Sequence, residues 1–271
     1  MAGKTAKNKT EKTSAGKAVQ QEVVYQNQER FQTAVEKIAD RTQGMMGIGT
    51  LSEKTLHAIM KHYYEPNEDY HEVPLEGYVA DIYNQNGVIE IQNGNFNKMR
   101  AKLAVFLNLY PVTIVYPLPC HKWVSWINPE TGETSKRRKA PKVWKPYHAF
   151  WELYKIKSCL HHPNLHIRIV MVDMEEYRLL NGWNESRKRG STRYDRIPLG
   201  ICEETVIDQP EDYIQFVPYE LEDGFSVKEF AKAAHIDADT ARTTLNILYE
   251  MEAVRRVGKQ GNAYLYAVKA V

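Results

Sequence analysis

Residues 112–118, Val-Thr-Ile-Val-Tyr-Pro-Leu, form an apolar run bounded by Pro111 and Pro119. A strand of that kind leaves no face for water, so it belongs inside a sheet covered by helices on both sides. The neighbouring segments supply them. Residues 53–64 place Leu56, Ile59, Met60 and Tyr63 on one helical face, Ser52 stands as an N-cap, and Pro66 ends the pattern. Residues 97–109 repeat the period through Met99, Leu103, Phe106 and Leu107, and residues 147–160 are again helical. Residues 73–83 and 88–92 read as strands joined by Asn84-Gln85-Asn86-Gly87, whose Asn-Gly pair accepts a hairpin turn. Residues 165–172 make a last strand before Asp173. This order predicts an α/β domain over residues 44–205, with a mixed sheet flanked by helices. Within it, residues 121–146 interrupt as an inserted β-hairpin turning at Pro129-Glu130-Thr131-Gly132.

The flanks differ in texture. Residues 1–20 hold five lysines against Glu11 and too little apolar surface to order themselves, which reads as a disordered basic tail. Residues 21–43 form an amphipathic helix through Val24, Phe31, Val35 and Ile38. After a linker at 206–220, residues 221–271 make a separate module. Ser226 and Glu229 have capping-box spacing, Asp237 caps a second helix at 238–252, and two strands surround Gly258-Lys259-Gln260-Gly261-Asn262.

A chain of 271 residues has room for two such domains, and 36 basic against 34 acidic residues give no whole-chain case for a polyanionic partner. Charge has to be read locally. Cys120, Cys159 and Cys202 are odd in number and widely spaced, which argues against a disulfide framework. The soft ligands at Cys120-His121 and Cys159-Leu160-His161-His162 flank different elements and lack a zinc-finger spacing. No apolar run approaches the roughly 18 residues of a membrane span, and the N-terminal lysines precede no apolar stretch, so a cytoplasmic protein is expected. A phosphate-binding glycine loop and a nucleophile elbow are both missing.

The chemistry-bearing constellation is on the first hairpin. Asp81 stands near the end of one strand and Glu90 on the next, two residues before Gln92. Hairpin pairing can set the two acids side by side, where carboxylate oxygens suit Mg²⁺ or Mn²⁺. Glu90 lies in Val88-Ile89-Glu90-Ile91, and a carboxylate in so apolar a strand needs a cation or donors to offset burial.

The helix with Glu53, the strand Gly77-Tyr78-Val79-Ala80-Asp81 and the strand Val88-Ile89-Glu90-Ile91-Gln92 followed by a helix resemble the PD-(D/E)XK nuclease superfamily, the restriction-endonuclease-like fold shared by Holliday-junction resolvases and many repair nucleases. The resemblance covers roughly residues 50–173 through a short, degenerate motif. It implies a Mg²⁺-dependent deoxyribonuclease in which Asp81, Glu90 and the Ile91 carbonyl hold the metal and Glu53 is an accessory acid. One departure stands out: Gln92 occupies the place of the family's lysine. A glutamine can hold the attacking water but brings no charge, so Lys98 or Lys102 on the following helix is the candidate to reach back.

DNA is the expected partner, with a homodimer as one allowed assembly. Lys136, Arg137, Arg138, Lys139, Lys142 and Lys145 crowd next to Trp123, Trp126 and Trp144, a mixture able to grip a backbone and stack on bases. Arg187, Lys188, Arg189, Arg193 and Arg196 make a second concentration. The C-terminal module resembles winged-helix DNA-binding domains. That resemblance makes residues 238–252 the recognition helix, with Thr240, Arg242, Thr243 and Asn246 as groove contacts and Arg255, Arg256 and Lys259 at the wing. A non-catalytic DNA-binding regulator, or a replication or repair accessory protein with a degenerate nuclease fold, is the alternative left open.

Overall fold

The apolar run is the start of strand β4 (Val112–Ile127) in a computed structural model that describes residues 27–39, 54–182 and 192–269. β4 lies parallel to β3 (Gly87–Ile91) on one side and to β6 (Leu165–Leu179) on the other. The sheet runs β1 (His71–Leu75), β2 (Tyr78–Asn84), β3, β4, β6, β7 (Arg193–Ile207), with antiparallel pairs at both ends. It is the mixed sheet expected for an α/β class. The segment read as one strand from 73 to 83 is divided, because Glu76 and Gly77 both take positive φ and fold β1 back on β2. At Gly87 a Cβ would lie 2.3 Å from the Pro111 carbonyl oxygen, so the β2–β3 turn requires glycine.

Helices cover both faces. On one, helix α1 (residues 27–39) and α2 (Lys54–Tyr64) bury Phe31, Ile38, Leu56, Ile59, Met60 and Tyr63 against Ile91, Val115, Val170 and Val172. On the other, α3 (Arg100–Phe106) and α4 (Phe150–Leu153) bury Leu103, Phe106, Phe150 and Leu153 against Ile114, Ile167 and Ile169. Both are shorter than their periodicity suggested, being extended by 3₁₀ turns at Phe96–Met99 and Tyr154–Cys159.

β4 outruns β3. Gln92 N donates to Val115 O at 2.9 Å, the last such bond between the two. In a parallel ladder a residue turns its N–H and C=O to the same neighbour, so Pro117 and Pro119 present their missing donors to the edge that β3 has vacated. β4 continues along β6 to Ile127, and β5 (Arg138–Lys139) takes up the same edge against Trp123 and Val124. The expected hairpin is therefore real, but its outgoing arm is the main sheet itself. β7 was not foreseen as a strand: Leu199 and Val206 are exposed among polar residues, which blurs any apolar alternation, and its arginines looked like surface charge.

The C-terminal residues form α5 (Val227–Ala234), α6 (Ala238–Glu250), β9 (Val254–Gln260) and β10 (Ala263–Val268), with β8 (Phe225–Ser226) pairing β10. Ser226 and Glu229 make the capping box and Asp237 accepts from the amides of Asp239 and Thr240, as their spacing predicted. The span read as a linker packs tightly: Pro210–Phe216 is a 3₁₀ turn with Tyr213 and Phe216 buried. Phe230, Leu245, Leu248 and Tyr266 share one continuous core with Phe150, Phe216 and Ile167. Among the described residues, no helix is long and apolar enough to cross a membrane.

Candidate active site

Pairing between β2 and β3 stops at Ile82 and Ile89, and side chains take over where the backbone ladder ends. The Ile91 amide donates to Asp81 Oδ2 at 2.7 Å, so a carboxylate stands in for the next ladder acceptor. The same oxygen receives His57 Nε2 at 3.1 Å from α2. α2 is fixed over the sheet by Thr55 Oγ1 donating to the buried Asp195 carboxylate (2.6 Å) and by Tyr64 OH donating to Glu204 (2.6 Å), one bond near each end with His57 between. Glu90 is 4% exposed, and both its carboxylate oxygens lie 2.6 Å from Lys102 Nζ of α3. Lys102 also donates to Val79 O at 2.6 Å, tying α3 to β2.

The two acids feel each other. Burial first, then the negative charge of Asp81, push the Glu90 carboxyl up to about 7 against the pull of Lys102. Burial also acts on Asp81, but the His57 bond and charge, the Ile91 amide and Lys102 outweigh it and hold that carboxyl below its ordinary value. A buried carboxyl raised by desolvation, with a second carboxylate adding to the shift, is an environment that a divalent cation would relieve, and carboxylate oxygens are the hard donors that Mg²⁺ prefers. Asp81 is met by His57 from α2 and Glu90 by Lys102 from α3, the helices of opposite sheet faces. His57, Glu72 and Asp81 further offer ligand atoms within 4.8 Å of one another, and Glu72 is ion-paired with Lys61.

Other expected residues are placed as follows. Gln92 is half-buried, its amide donating to Gly94 O in a turn where Gly94 has φ +131° and Asn95 +57°. Glu53, Ser52, the tail at 1–20 and Arg187, Lys188 and Arg189 fall outside the described residues. Lys136, Arg137, Arg138 and Lys139 are exposed, with Arg137 and Lys139 over the Trp123 ring at 5.4 and 5.8 Å. Lys145 instead donates to Ala234 O, anchoring the return arm to α5. Arg193 and Arg196 converge with Lys122 and Arg178 on the fully buried Glu176.

On the C-terminal module, Arg255, Arg256 and Lys259 are exposed, and Arg256 sits over the rings of both Tyr249 and Tyr264. α6 is less open. Thr240 is buried and accepts from Trp151 Nε1 at 3.2 Å, Asn246 Oδ1 accepts from Lys157 at 3.3 Å, and Thr243 donates to Asp239 O. Arg242 is exposed and paired with Asp239.

Sequence reasoning read His57 as facing solvent or the core rather than as a base, and it did not single out Glu72. His57 is four residues beyond Glu53 in sequence, the only local signal toward it. Glu72 sits in a left-handed conformation at φ +51°, and nothing local in the sequence marks it. The cysteines regroup: Cys120 and His121 meet Asp173 and Cys202, while Cys159 lies at the end of a 3₁₀ turn before β6.

A family model described as Domain of unknown function (DUF8091) matches residues 54–208, the whole span from α2 through β7. An uncharacterized protein of Treponema pallidum (strain Nichols) is 28% identical over 157 residues, which is 58% of this chain and 62% of that relative. No solved structure matches the chain.

Proposed function

We propose, for a chain that belongs to the DUF8091 family, a function read from its chemistry: a divalent-metal-dependent DNA nuclease of the restriction-endonuclease-like fold, steadied on its substrate by a winged-helix module. The observation that carries the reading is the burial of Asp81 and Glu90 in one shared field at the end of β3, each met by a base from a different helix. Asp81, Glu90 and the Ile91 carbonyl would hold Mg²⁺ or Mn²⁺. Such an ion activates a water and stabilises the leaving oxygen of a phosphodiester.

The chain's own groups account for the remaining needs. Lys102 would supply from α3, beside Glu90, the positive charge that Gln92 lacks. His57 fixes the rotamer of Asp81 and keeps it ionised. Beyond the site, β4 runs twelve residues past Val115, roughly 40 Å at about 3.3 Å per residue, and carries Lys136, Arg137, Arg138 and Lys139 along the edge that β3 leaves open. Those cations and the β9 residues Arg255, Arg256 and Lys259 supply phosphate contacts. Asn246 is held by Lys157, so the wing rather than α6 is the DNA-facing part of the module.

Incubation of the full chain with linear, branched and single-stranded DNA in Mg²⁺, Mn²⁺ or chelator tests this reading. Cleavage that requires the metal is expected. Salt-sensitive binding without product in any condition favours the non-catalytic regulator or accessory protein instead.

A further inference from the structure

We propose that Cys120, His121, Asp173 and Cys202 form a second metal site, selective for a borderline-soft divalent ion and best suited to Zn²⁺. Their ligand atoms, two sulfurs, an imidazole nitrogen and a carboxylate oxygen, all lie within 4.8 Å of one another. His121 Nδ1 is 2.8 Å and Cys202 Sγ 3.3 Å from the same Asp173 Oδ1.

Three adjacent strands are bent to bring them together. Asp173 is on β6. On one side, the β4–β6 register passes from Pro119↔Val172 to Lys122↔Met174, so Cys120 and His121 oppose the single residue Asp173. On the other, the β6–β7 register passes from Met171↔Glu203 to Val172↔Ile201, which leaves Cys202 as the extra residue of a bulge. Regular pairing would send alternate side chains to opposite faces; bulges on both sides of Asp173 re-aim them at one point. The His121 amide also donates to Asp173 Oδ1, at 3.2 Å.

The Cys202 thiol is within hydrogen-bonding reach of the Cys120 thiol, but a disulfide between them would have to draw two non-adjacent strands together. Cys120 and Cys202 belong to strands on either side of β6, and two strand spacings put backbones about 9.6 Å apart, beyond the roughly 4.4–6.8 Å Cα separation that a disulfide spans. A bridging ion reaches further. With bonds of about 2.0–2.3 Å, a tetrahedral zinc sets neighbouring ligand atoms about 3.3–3.8 Å apart, the scale of the Cys202–Asp173 contact. Two thiolates and an imidazole favour zinc over Mg²⁺, which prefers oxygen and water. Cys202 is exposed and Cys120 half-buried, so the ion has a way in. The cluster is five residues along β4 from Val115, about 16 Å, and is separate from the Asp81–Glu90 pair. Filled, it pins β4, β6 and β7 together at the root of the basic arm.

The test is Co²⁺ and Zn²⁺ titration of the reduced full chain, with Cys120→Ser, Cys202→Ser and, as control, Cys159→Ser. Folding of each variant is checked by circular dichroism. One equivalent of Co²⁺ should give the intense visible bands of tetrahedral thiolate coordination, displaced by Zn²⁺. Cys120→Ser and Cys202→Ser should weaken binding by on the order of 100-fold, at least what loss of a supporting partner costs, while Cys159→Ser leaves it unchanged. Zn²⁺ should also slow alkylation of Cys202 until chelator is added. A pale octahedral Co²⁺ spectrum, equal binding in Cys202→Ser, or a Cys120–Cys202 disulfide found by mass spectrometry would each overturn the proposal.

Discussion

Glu90 shows how one side chain ties the fold to its chemistry. In its surroundings the carboxyl is pushed up to about 7 from an ordinary 4.5, by burial and by Asp81. Between those values the folded chain keeps a proton there that the unfolded chain has released. The site's contribution to stability is therefore full below about pH 4.5 and is lost as the pH rises through about 7. Glu90→Gln is uncharged throughout and escapes that loss. In metal-free buffer its urea midpoint relative to the parent should rise between about pH 5 and about pH 8; an unchanged difference would show that Glu90 titrates as an ordinary acid. The acid pair was legible from the sequence, because a glutamate inside Val88-Ile89-Glu90-Ile91 has few ways to be tolerated. Its neighbours were less so. Lys102 was named among two candidates, whereas the His57 bond depends on where α2 docks through Thr55 and Tyr64, contacts 140 residues apart in sequence.

Among the elements, the long β4–β6 ladder matters most for the proposed DNA contact. Pro119 was read as the end of a short strand that already contained Pro117; the place of both prolines on the vacated edge explains why the strand continues through them. β7 escaped notice for a related reason. An antiparallel end strand with many polar residues carries little apolar periodicity, and Arg193 and Arg196, read as part of a second basic concentration, are neutralised on the buried Glu176. Among the described residues, the acidic partner of the exposed cations at 136–139 is Glu175, 4.0 Å from Arg137. Replacing Lys136, Arg138 and Lys139 by Ala together should flatten the salt dependence of DNA binding, lowering the slope of log K against log salt by about 0.9 per lost duplex-phosphate contact, while leaving Tm within about 2 °C, since all three are exposed. An unchanged slope would remove the hairpin from the DNA interface.

At the level of the whole molecule, the two units expected from the change of texture after Pro218 exist as patterns, but the core runs through both. Tyr147 packs its ring on Phe216 and Phe230, and Trp151 and Lys157 hold α6 from the α/β side. Sequence periodicity announces each helix and gives no hint of which helices meet, so the docking of α6 against α4 was invisible until the chain was folded. Arg255, Arg256 and Lys259 remain exposed on β9, as Arg242 does on α6. The account rests on the meeting of residues 81 and 90 at the end of β3. Mn²⁺ titration of the full chain, followed by electron paramagnetic resonance of the free ion, tests that most directly. The parent should remove one equivalent of Mn²⁺ from solution, and Asp81→Ala and Glu90→Ala, both folded, should each abolish that uptake; equal uptake by the parent and both variants would contradict it.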